Sequence, residues 1–176
     1  IIVLLLKKNF TRTILLPLTH FSDAPFLLRF LRTRKFSVPL ACEMLERYLT
    51  IRQLYPQWFR NLDCEDPDLA EIINAGYLVP LLERDQGRLV LFSCAGKFDP
   101  HKFTSAHMVK VHSLITEALM DDEINQINGY TYINDESGFQ MAHISLWSLT
   151  DVRNILRCIQ VMLKSKFEII FHFFNF

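Results

Sequence analysis

Apolar residues of this chain recur at two spacings, helical up to about residue 76 and mixed helical and strand-like beyond it. In "FSDAPFLLRFLRTRK" a helix opens near Ser22 or Asp23 with Pro25 in its first turn. Phe26, Leu27, Phe30 and Leu31 fall on one arc, and Arg29, Arg32 and Lys35 on the opposite arc. Arg34 would turn toward the apolar side, so the helix is expected to end there and leave it at an edge. A second helix follows Ser37 as N-cap, with Pro39 in its first turn and a stripe of Ala41, Met44, Leu45, Tyr48 and Leu49. Glu43 and Arg47 stand four apart outside that stripe. In "DPDLAEIINAG" Asp66 caps, Pro67 takes the first helical position and Gly76 supplies a left-handed C-terminal residue.

Beyond Gly76, "YLVPLL" and "RLVLFS" read as two strands around the turn "ERDQG", the first an edge strand because Pro80 cannot donate to a ladder. "GKFDPHKFT" is a loop, and Thr104 or Ser105 caps a helix reaching about Met120. "NGYTYI" gives a third strand. "SLTDVRNILRCIQ" opens on a capping-box variant, Ser148 to Asp151, and its spacing predicts burial of Val152, Ile155, Leu156 and Ile159. The pattern predicts an α/β chain: an N-terminal helical bundle, then right-handed crossovers and a mostly parallel sheet flanked by helices. No internal repeat or low-complexity tract interrupts it.

Composition narrows the function classes. Half of the 176 residues are apolar and 15 are Phe, enough for a sizeable core. Formal net charge is zero, against the broad basic excess of nucleic-acid domains, so any anion site is local and no nucleic-acid partner is expected. Cys42, Cys64, Cys94 and Cys158 are scattered without a C-x-x-C pair, which fits free thiols in a reducing compartment. No apolar run reaches the ~20 residues of a membrane span. "IIVLLL" is short and is followed by its lysines, unlike a signal peptide. A cytoplasmic protein is expected.

Catalytic signatures are weak. Five glycines form neither G-x-G-x-x-G nor a P-loop. His101, His107 and His112 lack H-E-x-x-H spacing, so neither a metal nor another cofactor is expected. Cys94 with a His and an Asp would make a hydrolase, but no nucleophile-elbow sequence surrounds it. "MDDE" at 120–123 reads as a solvated helix end. Arg29, Arg32, Arg34 and Lys35 read either as a solvated face or as phosphate ligands.

"FLLRFLRTRKFSVPLACEMLERYLTIRQLYPQWF" resembles the N-terminal helical part of CRAL-TRIO (Sec14-like) lipid-transfer proteins. The resemblance continues in order through "LDCEDPDLAEIINAGYLVPL", "RDQGRLVLFSCAGKFDPHKFT", "INGYTYINDESGF" and "MAHISLWSLTDVRNILRCIQ". It is nearest to the tocopherol-transfer-like, clavesin-like and retinaldehyde-binding-like branch. It implies a carrier without catalytic residues, monomeric when complete, that encloses one hydrophobic lipid and meets phosphoinositide-containing membranes peripherally, endosomes included. Arg34 matches a basic residue that helps hold a phosphoinositide head group in that family, and Lys166 falls where a second would lie. Pocket candidates on the helices facing the sheet are Val109, His112 and Thr116, then Ile155, Cys158 and Ile159, with Ile133 on the strand between. Ordinary core packing explains each equally well, since a lipid pocket and a core use the same residue types. His112 and Thr116 add polar groups suited to a lipid hydroxyl or carbonyl. A phosphoinositide-reading module without cargo, or a non-functional truncated product, are the alternatives.

The resemblance divides the chain into a helical region at 23–76 and the first part of the lipid-binding domain at 77–160. "NDESG" at 134–138 departs from the family's aspartate-leucine-glutamate-glycine, so Ser137 lacks the usual bracing acid. After Gln160 stands "VMLKSKFEIIFHFFNF", with Lys164 where proline is expected and His172 displaced by one. The segments 1–22 and 161–176 share residues with A- and T-rich codons. They are expected to be non-native tails, translated intron around one exon of a truncated domain.

Overall fold

The computed structural model describes residues 24–162 and 167–172. Helix α1 (Ala24–Thr33) and α2 (Val38–Leu54) pack as a hairpin, followed by the short α3 (Pro56–Phe59) and by α4 (Pro67–Asn74). Strands β1 (Leu78–Asp85) and β2 (Arg88–Cys94) come next, then α5 (Ser105–Met120), α6 (Glu123–Asn128) and β3 (Tyr130–Asp135). The chain continues through α7 (Met141–Ser145), α8 (Leu149–Met162) and β4 (Phe167–His172). The strands lie in the order β1-β2-β3-β4, with β1 antiparallel to β2 and the other pairs parallel. This is the expected helical bundle followed by a mostly parallel sheet with β1 at its edge.

Local chemistry explains most boundaries. After Thr33 the Phe36 amide bonds to Leu31 O at 2.7 Å and the Lys35 amide to Arg32 O at 3.1 Å, the paired bonds of a Schellman turn. Lys35 and Phe36 both hold positive φ there, 49° and 62°, so the turn closes without glycine and sets Arg34 at the helix end. Asp66 caps α4 by accepting the amides of Asp68 and Leu69. Gln86 and Gly87, at φ 49° and 85°, form the two-residue turn joining β1 to β2. The register of that pair slips between Pro80 and Arg84. Ser148 and Asp151 form the expected reciprocal cap of α8. The acids of "MDDE" are exposed at the end of α5, as expected of a solvated helix end, and Asp122 also caps α6 by accepting the Ile124 amide at 2.8 Å. Neither α3 nor α6 was expected, because each is too short to show a periodicity.

Three packed clusters make the interior. Leu27, Phe30 and Leu31 of α1 meet Ala41, Leu45 and Tyr48 of α2. Leu69 and Ile72 of α4 and Val111 of α5 meet Leu89 and Leu91 of β2 and Tyr130 of β3 on one sheet face. Ile51, Trp58 and Phe59 meet Val109 of α5 and Cys158 of α8. Val109 and Val111 belong to different clusters, so α5 is buried on two sides, by the sheet and by α2, α3 and α8. The expectation for α8 is corrected in part. Ile155 packs inward and Cys158 is fully buried, but Val152 and Leu156 are 40% and 54% exposed. The helix docks along a narrow seam, and these two lie on its other side.

The loops after β2 and β3 close on each other through glycine. A Cβ on Gly138 (φ +77°) would sit 2.8 Å from Gly96 Cα. Asp135 accepts the Ser137 amide at 2.9 Å, so an acid two residues earlier braces the turn where Ser137 has none of its own. Gly138→Ala combines a left-handed backbone with a clash, and we expect it to lower stability by about 1–3 kcal/mol in urea unfolding.

Candidate functional site

The four basic residues that open the question of function have separate fates. Arg29 donates from Nη1 to Glu117 Oε2 of α5 at 2.8 Å and from Nη2 to Tyr48 Oη at 3.1 Å. Arg52 pairs with the other Glu117 oxygen, which also accepts the Tyr48 hydroxyl at 2.7 Å. The Arg29 guanidinium lies 4.1 Å from the Phe26 ring centre and that of Arg52 4.4 Å from Tyr48. Arg32 bonds Gln126 and pairs with Glu123 of α6 at 2.7 Å. The expected solvated face is therefore corrected: α5 and α6 bring acids against α1, and Arg29 and Arg32 are interface residues. Burial opposes ionisation of Glu117, yet Arg29 and Arg52 hold its carboxyl below the usual carboxylate range.

Arg34 differs from its neighbours. It is half-buried and no described side chain pairs with it; its buried Nε lacks a hydrogen-bond partner, as do those of Arg29 and Arg52. Lys166, the second predicted phosphoinositide contact, lies outside the described residues.

The pocket candidates divide among several surroundings. Val109, Ile155 and Cys158 come together in the third cluster, against Trp58 and Phe59. Burial pushes the Cys158 thiol up to about 11. His112 lies elsewhere, its Nε2 3.0 Å from Tyr77 Oη and its Nδ1 3.2 Å from Tyr132 Oη. Burial lowers its pKa to about 4, so the neutral ring donates to one tyrosine and accepts from the other. Ser93 extends this chain, bonding Tyr132 and Asn134. The Thr116 hydroxyl donates to His112 O at 2.7 Å, within its own helix. Ile159 lies on α8 with its side chain outside the described residues.

Ile133 stands on the other face of the sheet. Strand pairing aligns Val79 with Phe92 and Phe92 with Ile133, out of phase with the Leu91–Tyr132 row that meets α5. Val79, Phe92 and Ile133, all half-buried, therefore form an apolar strip that joins none of the three packed clusters among the described residues, while the same face carries the buried Val90 and Thr131 and the polar Asp85 and Arg88 toward its other end. Sequence reading placed the candidates mostly on the helices and missed this face; the strand alternation of "RLVLFS" carried the signal. It also missed His143, whose Nε2 reaches Ala95 O at 3.2 Å and Phe98 O at 3.0 Å and so holds the loop after β2.

Two chemical alternatives meet their tests here. Cys94 donates to Asp135 Oδ2 at 3.5 Å, and burial, then that acid, raises its pKa, the reverse of an activated nucleophile. His107 lies 3.7 Å from Asp68 and accepts the Thr104 amide, well apart from the partners of His112. No described helix is long and apolar enough to cross a membrane.

Residues 74–171 match the CRAL/TRIO domain. The chain is a member of the CRAL-TRIO family. Residues 6–47 match the family's CRAL/TRIO N-terminal domain, so the two matches run beyond the quoted motifs at both ends. Clavesin-1 of Xenopus laevis is 32% identical over 155 residues, covering 88% of this chain and 46% of that protein. Clavesin-2 of Homo sapiens is 30% identical over 155 residues, covering 88% and 47%. Clavesin-1 of Mus musculus is 34% identical over 125 residues, covering 70% and 35%. The chain spans about half the length, or less, of these curated relatives. Over the matched residues the chain is clavesin-like.

Two outcomes follow from the buried polar groups. Glu117→Gln leaves the Arg29 and Arg52 guanidinium groups without the charge between them in a partly buried site, and should cost about 1–2 kcal/mol in urea unfolding. The exposed Glu43→Gln should cost under about 0.5 kcal/mol. His112 stays neutral in the fold from its ordinary 6.5 down to about 4, while the unfolded chain protonates first. Stability should therefore fall as pH drops from 6.5 to about 4. His112→Phe should melt at lower temperature at neutral pH but with a flatter profile across that window.

Proposed function

We propose that this chain binds a hydrophobic small molecule, of the tocopherol, retinoid or phospholipid type, and exchanges it at membranes with the help of a phosphoinositide head group. The observation that carries the reading is the half-buried strip of Val79, Phe92 and Ile133 on the sheet face turned away from α5, apolar yet joined to no packed cluster of described residues. Alkyl chains laid on such a floor gain about 25 cal/mol per Å² removed from water, and transfer needs no covalent step. The likeness to clavesins and the CRAL/TRIO match support it.

Arg34 is the phosphoinositide residue of this reading. A guanidinium at a helix end closed by a Schellman turn, paired with no described side chain, offers donors to a phosphate without first breaking an ion pair. Lys166 is proposed as its companion. The same observation favours the second reading, a module that recognises phosphoinositide membranes and carries no cargo.

Extraction and mass spectrometry of the protein purified from eukaryotic cells separates the two. A stoichiometric apolar ligand, lost in Ile133→Asp, is expected; an extract empty in the parent chain, with phosphoinositide binding retained, favours the module. Arg34→Ala should weaken binding to phosphatidylcholine vesicles containing phosphatidylinositol bisphosphate about tenfold, with melting temperature unchanged. Equal binding of parent and variant removes Arg34 from the site.

A further inference from the structure

The outer side of α8 has a composition that neither the core nor Arg34 explains. Leu149, Val152 and Leu156 recur at i, i+3 and i+7 and are 90%, 40% and 54% exposed. Cys158 lies on the opposite side of the helix, fully buried. Arg153 and Arg157, both exposed, run beside the apolar stripe one turn apart. The helix has one acid, Asp151, and its carboxylate is held at the N-terminus by Ser148. Just before it, Met141 and Ile144 of α7 are 74% and 51% exposed. Trp147, between the two helices, packs into the third cluster.

A helix docked by one seam, with aliphatic side chains and arginines on its free side, matches the interface of an anionic bilayer in both polarity and charge. Burial against another protein would satisfy the leucines but leave two parallel arginines to be paired. A phosphate-rich head-group layer receives both, since the guanidinium groups lie beside the stripe at the depth of the head groups while the aliphatic side chains enter the acyl boundary.

We infer that the α7–α8 face, led by Leu149, Val152 and Leu156 with Arg153 and Arg157, is a membrane-docking surface for anionic lipid, separate from Arg34. The inference deepens the lipid-exchange reading by naming the side of the molecule that meets the bilayer. It needs no phosphoinositide.

Co-sedimentation of the full chain with phosphatidylcholine vesicles, with and without phosphatidylserine and free of phosphoinositide, tests it. The parent chain should partition onto the phosphatidylserine vesicles. The double variant Leu149→Gln/Leu156→Gln should lower partition at least about tenfold at unchanged helical circular dichroism, since both side chains are exposed. Arg153→Gln/Arg157→Gln should remove the preference for phosphatidylserine, and added salt should mimic it. Arg34→Ala should bind these vesicles like the parent. Loss of cargo in the extraction experiment leaves this result standing, so the two readings fail separately. Equal partition of parent and leucine variant, or no partition of the parent, overturns the inference. So does a parent chain that sediments as a dimer which the leucine variant dissociates, because the face would then be covered by a second copy.

Discussion

One carboxylate joins the two parts of this molecule. Glu117 sits on α5, the helix against the sheet, and accepts from Arg29 of α1 and from Tyr48 and Arg52 of α2. Ion pairs at a surface contribute little, but here Glu117 is partly buried and its two partner guanidinium groups lie over the rings of Phe26, Tyr48 and Phe59. Its charge is needed because both cations are already committed to the interface. Arg32, reaching Glu123 and Gln126, repeats the arrangement one turn along. The helical hairpin is thereby held to the same helix that supports the sheet, and Arg34 at the end of α1 has a fixed position relative to it.

Most of the fold was legible in the order of residues because its boundaries are made by local chemistry. Asp66 and Pro67 start a helix wherever they occur together before an apolar repeat, and Gly76 ends it. Pro80 marked an edge strand before any partner was known, and the stripe from Ala41 to Leu49 lies in the core as its spacing requires. What escaped was decided by contacts distant in sequence. The arginines of α1 look like a wet face from within the helix; only the acids of α5 and α6 make them an interface. Val152 and Leu156 share a period with Ile155, and nothing in that period says that the helix will dock along one seam alone.

The candidate site was less legible for a different reason. A pocket and a core use the same apolar residue types, so the family resemblance selected Val109 and Cys158, which pack against Trp58 and Phe59. Ile133 was found, but its neighbours Val79 and Phe92 become its partners only through strand register, which links positions far apart in the chain. His112 was recognised as a polar residue on an apolar side; that its two nitrogens are engaged by Tyr77 and Tyr132 depends on three separate elements.

The outer border of the sheet has a consequence for how the protein behaves in a crowded solution. Pro80 removes one donor from β1 and the slipped register beyond it breaks the regular alternation of amides and carbonyls. A strand so interrupted is a poor template for a stray chain to zip onto. The β1 border of the sheet is thus kept from serving as a rail along which fibrils would grow.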